Sequence, residues 1–208
     1  MIIGLDFDNT IVCYDNAIDQ LAEQRFDLPH DLPRTKTAIR DYLRQLGQED
    51  AWTRFQGELY GPGMSYAEPF PSVIETLAVL EASGHACVVI SHRTKFPYAG
   101  ERYDLHRFAN EWLNDRLAHR LQRVAFHERK SEKIADIGSV GCALFLDDLP
   151  EILSDEQFPR STVGVLFAPH GKLDGWSGPS IGSWSELERD RKSTRLNSSH
   201  VSESRMPS

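Results

Sequence analysis

Five short apolar runs, separated by helical patterns, constrain the fold of this chain more than any other feature of its sequence. The runs lie at residues 2–8, 85–91, 123–127, 143–147 and 162–167. Most of them are continuously apolar and do not alternate with polar residues, which is typical of strands buried on both faces. Short buried strands that alternate with helices predict an α/β fold, in which helices flank a parallel sheet.

Helical patterns fill the intervals between these runs. We expect Ser72 to cap a helix that Gly84 closes, and Ser131 to cap another helix before the fourth run. A further helix carries its apolar face on Leu105, Phe108, Trp112, Leu113 and Leu117. The order of strands and helices is therefore the alternating one that the predicted sheet needs.

Residues 17–66 break this alternation, because they carry no convincing strand. Two helices are predicted there, one at 35–46 with Thr35 as its cap and one at 49–60. We therefore expect a small helical cap inserted after the first strand. The expected division is a core domain of residues 1–16 and 67–189, with the cap at 17–66.

The last segment, residues 190–208, is expected to lie outside the fold. It has no apolar periodicity and could not add to a core. Its amino-acid sequence also resembles the in-frame translation of a common sequencing adapter. Two separate segments match, and they occur in the same order as in the adapter. We therefore treat it as a disordered, non-native tail and leave it out of the functional reasoning.

The bulk composition narrows the class of function. A formal net charge of −8 argues against a general nucleic-acid binder, because phosphate backbones select basic surfaces. No apolar run approaches the roughly 18–20 residues that span a bilayer. Cys13, Cys87 and Cys142 are odd in number and widely spaced, which is typical of reduced thiols. With no secretory signal after Met1, we expect a cytoplasmic protein that binds neither nucleic acid nor membrane, and the oligomeric state stays open.

Acidic residues stand at the ends of two of the predicted strands. Asp6 and Asp8 close the first run, and Asp147 and Asp148 close the fourth. Two like charges at the exit of a buried strand are costly without a partner, and the usual partner is a cation. Oxygen-only ligands favour Mg²⁺. In parallel sheets, ligands bind beyond the carboxyl ends of the strands. We therefore expect these acidic residues to form a binding site at that edge of the sheet, together with Ser91 at the end of the second run.

Four elements occur in order along residues 1–189. They are an apolar strand ending in Asp6-Phe7-Asp8-Asn9-Thr10, a strand ending in Ser91, a lysine at a helix start, Lys133, and a strand ending in Asp147-Asp148. This ordered set resembles the haloacid dehalogenase-like (HAD) hydrolase superfamily, in its phosphatase-type members with a small cap after the first strand. The resemblance implies a Rossmann-like core and an activity of phosphate transfer or hydrolysis.

The resemblance implies a catalytic role for each element. Asp6 would be the nucleophile that forms an aspartyl-phosphate, and Asp8 would serve as acid and then as base. Ser91 would donate a hydrogen bond to a phosphoryl oxygen, and Lys133 would neutralise charge on the nucleophile and the phosphate. Lys130 competes for the lysine position, but Lys133 is favoured by its distance from the following acidic pair.

Mg²⁺ is the expected cofactor. The resemblance implies that Asp6, the backbone carbonyl of Asp8 and one carboxylate of the Asp147-Asp148 pair hold it. The family pattern suggests Asp148 as the direct ligand and Asp147 as its hydrogen-bonding neighbour, and either order fits the residues.

Further substrate contacts are expected beside these residues. Thr10 is predicted to support the turn after the first strand, and His92 lies next to the expected phosphate position. Arg93 and Lys95 could bind a second anionic group of the substrate, and the alternative is a solvated loop.

The function that the residues favour is hydrolysis of a small phosphorylated metabolite by a Mg²⁺-dependent phosphatase. A haloacid dehalogenase is disfavoured, because displacement of a halide needs no acid such as Asp8 for the leaving group. A phosphomutase would keep Asp8 and stays open. A non-catalytic, phospho-accepting receiver domain is disfavoured, because here the Asp147-Asp148 pair follows the lysine. The identity of the substrate stays open.

Overall fold

Strands and helices alternate along most of the chain in the structure, a computed structural model that describes residues 1–117, 120–171 and 175–187. In chain order the elements are β1 (Ile2–Leu5), β2 (Val12–Cys13), α1 (Asp15–Arg25), α2 (Lys36–Gln45), α3 (Glu49–Tyr60), a 3-10 helix (Pro62–Tyr66), β3 (Glu68–Pro69), α4 (Val73–Ala82), β4 (Ala86–His92), α5 (Leu105–Leu117), β5 (Arg123–His127), α6 (Lys130–Val140), β6 (Leu144–Asp147), α7 (Pro150–Leu153), β7 (Val163–Phe167) and β8 (Ser180–Ile181). The predicted non-native tail, residues 190–208, lies outside the described residues. No helix within the described ranges combines the length and the apolar character that crossing a membrane requires.

A six-stranded sheet with the order β5-β4-β1-β6-β7-β8 forms the centre of the fold. Every neighbouring pair in it is parallel. All five predicted runs supply strands to this sheet, and helices flank it. The prediction of a Rossmann-like α/β fold is therefore confirmed.

β1 lies between β4 and β6, and this position brings the polar strand ends together. Leu5 of β1 is in register with Val89 of β4 and with Leu146 of β6. Because the three strands are parallel, their carboxyl ends meet at the same edge of the sheet. Asp6 therefore leaves β1 next to Asp147, the last residue of β6.

The first strand is shorter than predicted, because the chain turns sharply after it. The carbonyl of Phe7 accepts hydrogen bonds from the amides of Ile11 and Val12, each at 3.1 Å. Asn9 has a φ of 56°, a left-handed conformation that asparagine adopts more readily than most residues. The predicted run of residues 2–8 is therefore longer than the strand it forms. β1 ends at Leu5, and Asp8 lies in the turn that follows.

The sheet separates two apolar cores. On one side Ile3 and Leu5 pack with residues from α1 to α5. On the other side Ile90 and Phe145 pack with residues from α6 and α7. Strands that are buried on both faces explain why the runs are continuously apolar.

The segment after β1 is helical, as predicted. α2 and α3 lie at the two predicted helices, and the hydroxyl of Thr35 caps α2 by accepting the amide of Ala38 at 3.2 Å. α1 is an additional helix that periodicity did not identify. The buried residues of these helices belong to the same apolar core as β1. The division into a core domain and a cap at 17–66 stays a prediction.

Two predicted helix caps are wrong. α4 does begin after Ser72, but Ser72 has a φ of 66° and its hydroxyl caps no amide. α6 begins at Lys130, so Ser131 lies inside its first turn and Arg129 occupies the cap position. In both places the backbone turn, and not a capping side chain, sets where the helix starts.

Substitution Gly4→Ala should destabilise the fold, because β1 has no room for a methyl group there. An added Cβ would lie 2.4 Å from Cδ2 of Phe145 and 2.8 Å from Sγ of Cys142. The Phe145 ring is fully buried and cannot move into solvent. We expect a loss of about 2–3 kcal/mol in the free energy of unfolding, measured with urea. Gly182→Ala is the matched control, since its Cβ would meet its nearest atoms at 3.7 Å. Equal losses for the two variants would contradict this account.

Candidate active site

Three carboxylates meet at the carboxyl edge of the sheet. One oxygen of each of Asp6, Asp147 and Asp148 lies within 4.8 Å of the others. Asp6 and Asp147 are buried, and Asp148 is partly buried. β1 and β6 are neighbours in the sheet, so their parallel pairing creates this cluster.

Lys133 provides the positive charge within the cluster. Its Nζ donates to Oδ1 of Asp6 at 2.6 Å and to Oδ2 of Asp147 at 2.6 Å. Burial alone would lower the pKa of Lys133, but the two carboxylates outweigh burial and raise it above its ordinary value. The ammonium is therefore charged at any physiological pH. Lys130, the alternative in the sequence, is bound to Glu151 at 2.9 Å instead.

Ser91 fixes the orientation of Asp6. Its hydroxyl, at the end of β4, donates to Oδ1 of Asp6 at 2.8 Å, the same oxygen that Lys133 binds. Among the described residues, none donates a hydrogen bond to Oδ2 of Asp6. Burial, opposed by Lys133 and assisted by the neighbouring carboxylates, raises the pKa of Asp6 to about 7.

The two acids at the end of β6 have different partners. Asp147 accepts from the amide of Leu149 at 3.0 Å with one oxygen and from Lys133 with the other. Asp148 instead lines an open cavity. Burial, followed by the charges of Asp6 and Asp147, raises the pKa of Asp148 well above its ordinary value. Asp148 is therefore the carboxylate of the pair that is free to bind a ligand.

The donor set fits Mg²⁺. Three carboxylates face a single ammonium, so the cluster has an excess of negative charge that a divalent cation would balance. All of its donors are oxygens, which suits a hard cation. Asp6 and Asp148 are the carboxylates that could hold the ion. The carbonyl of Asp8, the further ligand that the resemblance implies, stays a prediction.

Asp8 is held by two side chains. Oδ1 of Asp8 accepts a hydrogen bond from Nη1 of Arg93 at 2.5 Å and another from the hydroxyl of Tyr14. Sequence reasoning did not identify Tyr14, because nothing in a lone tyrosine after β2 indicates that it reaches back to the motif.

Arg93 is buried, and its guanidinium is engaged on every side. It donates to the carbonyl of Tyr60 at 2.6 Å and to the carbonyl of Leu105 at 3.2 Å. It also lies over the rings of Phe7 and Tyr60, at 5.5 and 5.2 Å from their centroids. The structure thus places Arg93 against Asp8, and its expected contact with a second substrate anion stays a prediction.

The remaining candidates lie around the cluster. Thr10 is fully buried, and its carbonyl accepts from the indole of Trp184 at 2.9 Å. Oγ1 of Thr10 has no hydrogen-bond partner among the described residues. Nε2 of His92 lies 3.2 Å from the carbonyl of Glu128, and burial lowers the pKa of His92. Among the described residues, neither side chain makes a hydrogen bond or an ion pair with the carboxylates, and their expected substrate contacts stay predictions.

A cavity of about 660 Å³ opens beside Asp148. Its lining includes the rings of Tyr14, Phe70 and Phe167 and the basic side chains of Arg34, Lys36 and His170. Sequence reasoning missed Lys36. One signal was present, because a lysine in the first turn of a helix opposes the helix dipole and so suggests another role.

Several known proteins resemble this chain in sequence or in fold. No model of a known protein family matches the chain. A Bacillus cereus protein named "Putative nucleotidase" is 25% identical over 200 residues, which cover 90% of this chain and 96% of that protein. A HAD-superfamily hydrolase from Ehrlichia chaffeensis superposes with a TM-score of 0.57 at 12% identity, covering 92% of this chain and 96% of that one. A "putative HAD-hydrolase" from Bacillus subtilis, solved with magnesium bound, gives 0.59 at 13%, covering 91% and 97%. The chain therefore has the fold of HAD-superfamily hydrolases, and the resemblance seen in the sequence is confirmed at the level of the fold.

Substitution Arg93→Ala should destabilise the protein strongly. It would leave Asp8 without its cation and the carbonyls of Tyr60 and Leu105 without their donor. We expect a loss of roughly 3 kcal/mol in the free energy of unfolding, measured by circular dichroism in urea. Arg54→Ala is the matched control, because this arginine pairs with an exposed aspartate and should contribute less than about 1 kcal/mol. A loss for Arg93→Ala no larger than that of the control would contradict the assignment.

In the metal-free protein, the contribution of Asp6 and Asp148 to stability should fall as pH rises from about 4 to about 7. Burial raises the pKa of Asp6 to about 7 and that of Asp148 well above its ordinary value. A carboxyl group whose pKa is higher in the folded state holds its proton more tightly there. The contribution of these two groups is therefore greatest below the unfolded-state pKa and falls as pH rises towards the folded-state pKa.

Asp148→Asn removes one of these acids. We expect the variant to be more stable than the wild type by roughly 1–2 kcal/mol at about pH 8 in EDTA, and the two proteins to converge at about pH 4. Urea unfolding at both pH values measures this. A variant that is no more stable than the wild type at the higher pH would show that these carboxylates do not repel one another.

Proposed function

We propose that this protein is a Mg²⁺-dependent phosphatase that hydrolyses a small phosphorylated metabolite through an aspartyl-phosphate. The environment of Asp6 carries the proposal. One of its carboxylate oxygens is held by Ser91 at 2.8 Å and by Lys133 at 2.6 Å. The other accepts no hydrogen bond from the described residues. A carboxylate that is fixed through one oxygen presents the other as a nucleophile.

The proposed reaction uses the chain's own groups in two steps. Oδ2 of Asp6 attacks phosphorus, the ester bond breaks, and Asp8 gives its proton to the leaving oxygen. Asp8 then takes a proton from a water molecule that attacks the phosphoryl group and releases Asp6. Ser91 and Lys133 stabilise the charge on the phosphoryl oxygens in both steps.

Mg²⁺ would neutralise the charge of the transferred phosphoryl group. Asp6, Asp148 and the carbonyl of Asp8 are the proposed ligands, and Asp147 would keep its bonds to Lys133 and to the amide of Leu149. The magnesium bound to the Bacillus subtilis hydrolase of the same fold supports this choice of metal.

Asp8 favours hydrolysis of a phosphate ester, from which an alkoxide leaves, over displacement of a halide. An acid held next to the nucleophile is needed to protonate an alkoxide and has no use when a halide leaves. A phosphomutase remains the alternative within the same fold. We also propose a cytoplasmic location, which the three free cysteines support.

Hydrolysis of p-nitrophenyl phosphate tests the proposal. The purified protein should turn it over with Mg²⁺, lose activity in EDTA and recover it when Mg²⁺ is restored. Asp6→Asn should lower kcat by at least about 1,000-fold, since it removes the nucleophile but keeps the shape of the side chain. A set of other phosphate esters should be tested in the same way, and it should include nucleoside monophosphates in view of the name of the Bacillus cereus relative. Equal turnover by the wild type and Asp6→Asn on every ester would refute the proposal.

A further inference from the structure

The cavity beside Asp148 is large enough to hold more than a phosphate. Its volume is about 660 Å³, in the range of pockets that enclose whole small molecules, which is roughly 300–1,000 Å³. Asp148 lines the cavity and also belongs to the acidic cluster with Asp6, so an ester whose phosphate lies at Asp6 could extend its leaving group into this space. The residues that line the cavity therefore indicate which chemical groups the leaving group carries.

One wall is aromatic and rigid. The rings of Phe70 and Phe167 meet edge to face with their centroids 4.9 Å apart, and Phe167 is almost fully buried at the end of β7. Tyr14 and Ile18 extend this apolar surface. A surface of this kind favours a flat, apolar portion in the ligand.

The other wall carries positive charge from the segment before α2 and from its first turn. Nζ of Lys36 donates to the hydroxyl of Tyr60 at 2.6 Å and lies 5.3 Å from the centre of that ring. No carboxylate lies within ion-pair distance of this ammonium in the described parts of the chain. Burial lowers the pKa of Lys36, but Tyr60 and the acids Asp8 and Asp148 raise it on balance, so the group stays charged.

Arg34 stands next to Lys36 and is loosely held. Its Nε is 3.8 Å from Oδ1 of Asp19, and its Nη1 is 3.5 Å from the carbonyl of Pro29. Both contacts are long for a guanidinium, so exchanging them for a bidentate bond to an anion would cost little.

The positive charges of Lys36 and Arg34 are not needed to bind the phosphoryl group that is transferred. Lys133 already binds the nucleophile, and the acidic cluster has the composition of a cation site, so the transferred phosphoryl group has its own counter-charges. A half-buried ammonium without an anionic partner is costly, and a ligand that brings an anion would offset this cost.

We propose that the leaving group of the substrate carries a second anionic group, a carboxylate or a further phosphate, which Lys36 binds with the help of Arg34. The flat part of the same leaving group packs on Phe70 and Phe167. This inference rests on the proposed phosphatase function for the direction in which the substrate lies, and it names the class of substrate as phosphate esters with a second negative charge.

Binding of paired probes that cannot be hydrolysed tests the inference without turnover. The first pair is benzylphosphonate and 4-carboxybenzylphosphonate, and the second is a nucleoside 5′-monophosphonate with and without a 3′-phosphonate. In calorimetry with Mg²⁺, the probe with the extra anion should bind at least about tenfold more tightly in one pair or both. Equal affinity within both pairs would overturn the inference.

Lys36→Gln identifies the residue responsible. Glutamine keeps a donor for Tyr60 but removes the charge, so the tenfold preference should fall to within about twofold while affinity for the simpler probe is retained. Arg40→Gln removes a charge one turn further along α2, outside the cavity lining, and should leave the preference intact. Loss of affinity for both members of a pair in Lys36→Gln would also overturn the inference, since Lys36 would then bind the common phosphonate.

Turnover of the corresponding esters separates this inference from the function on which it rests. If the preference in binding is found but no ester is hydrolysed faster than by Asp6→Asn, the second-anion site stands and the phosphatase proposal fails. If esters are hydrolysed but no preference is found in either measurement, the phosphatase stands and this inference fails.

Discussion

The buried ammonium of Lys133 is the interaction on which the acidic edge of the sheet depends. Two carboxylates, Asp6 and Asp147, leave adjacent parallel strands and would repel each other in a medium that water barely reaches. Lys133 joins them with two bonds of 2.6 Å, so the ends of β1 and β6 are linked through the start of α6. Among the described residues the same ammonium makes no ion pair with Asp148. The cluster therefore keeps an excess of negative charge that could bind a cation.

Much of this arrangement follows from patterns in the chain. Continuous apolar runs identified the strands, and their parallel pairing was enough to expect that residues at the strand ends meet. Asp6, Ser91 and Lys133 were grouped from their positions in the order of elements, and the structure brings them within hydrogen-bonding distance. α3 was predicted with its observed bounds, because Trp52 and Phe55 repeat with a helical period.

Other features depend on contacts that a local pattern does not record. β2, β3 and β8 are strands of only two residues, too short for any period to appear. Serine is a residue type typical of helix caps, yet α6 begins at Lys130, one residue before Ser131, and Arg129 occupies the cap position. Arg93 was expected to bind a second anionic group of the substrate, and that contact stays a prediction. Its guanidinium lies against Asp8, where the carbonyls of distant residues and two aromatic rings surround it, and no local pattern records these contacts.

Tyr60, the last residue of α3, acts through three different groups. Its carbonyl accepts from Arg93, which holds Asp8, and its hydroxyl accepts from Lys36. Its ring stands at 85° to that of Tyr14, the other residue bound to Asp8. A shift of α3 along its axis would therefore disturb the contacts of Asp8 and of Lys36 together, and with them the proposed proton transfer and the proposed recognition of the leaving group. If both proposals hold, mutations that alter the packing of this helix would change the two together, so a change of substrate preference through α3 would be constrained by the chemistry of Asp8.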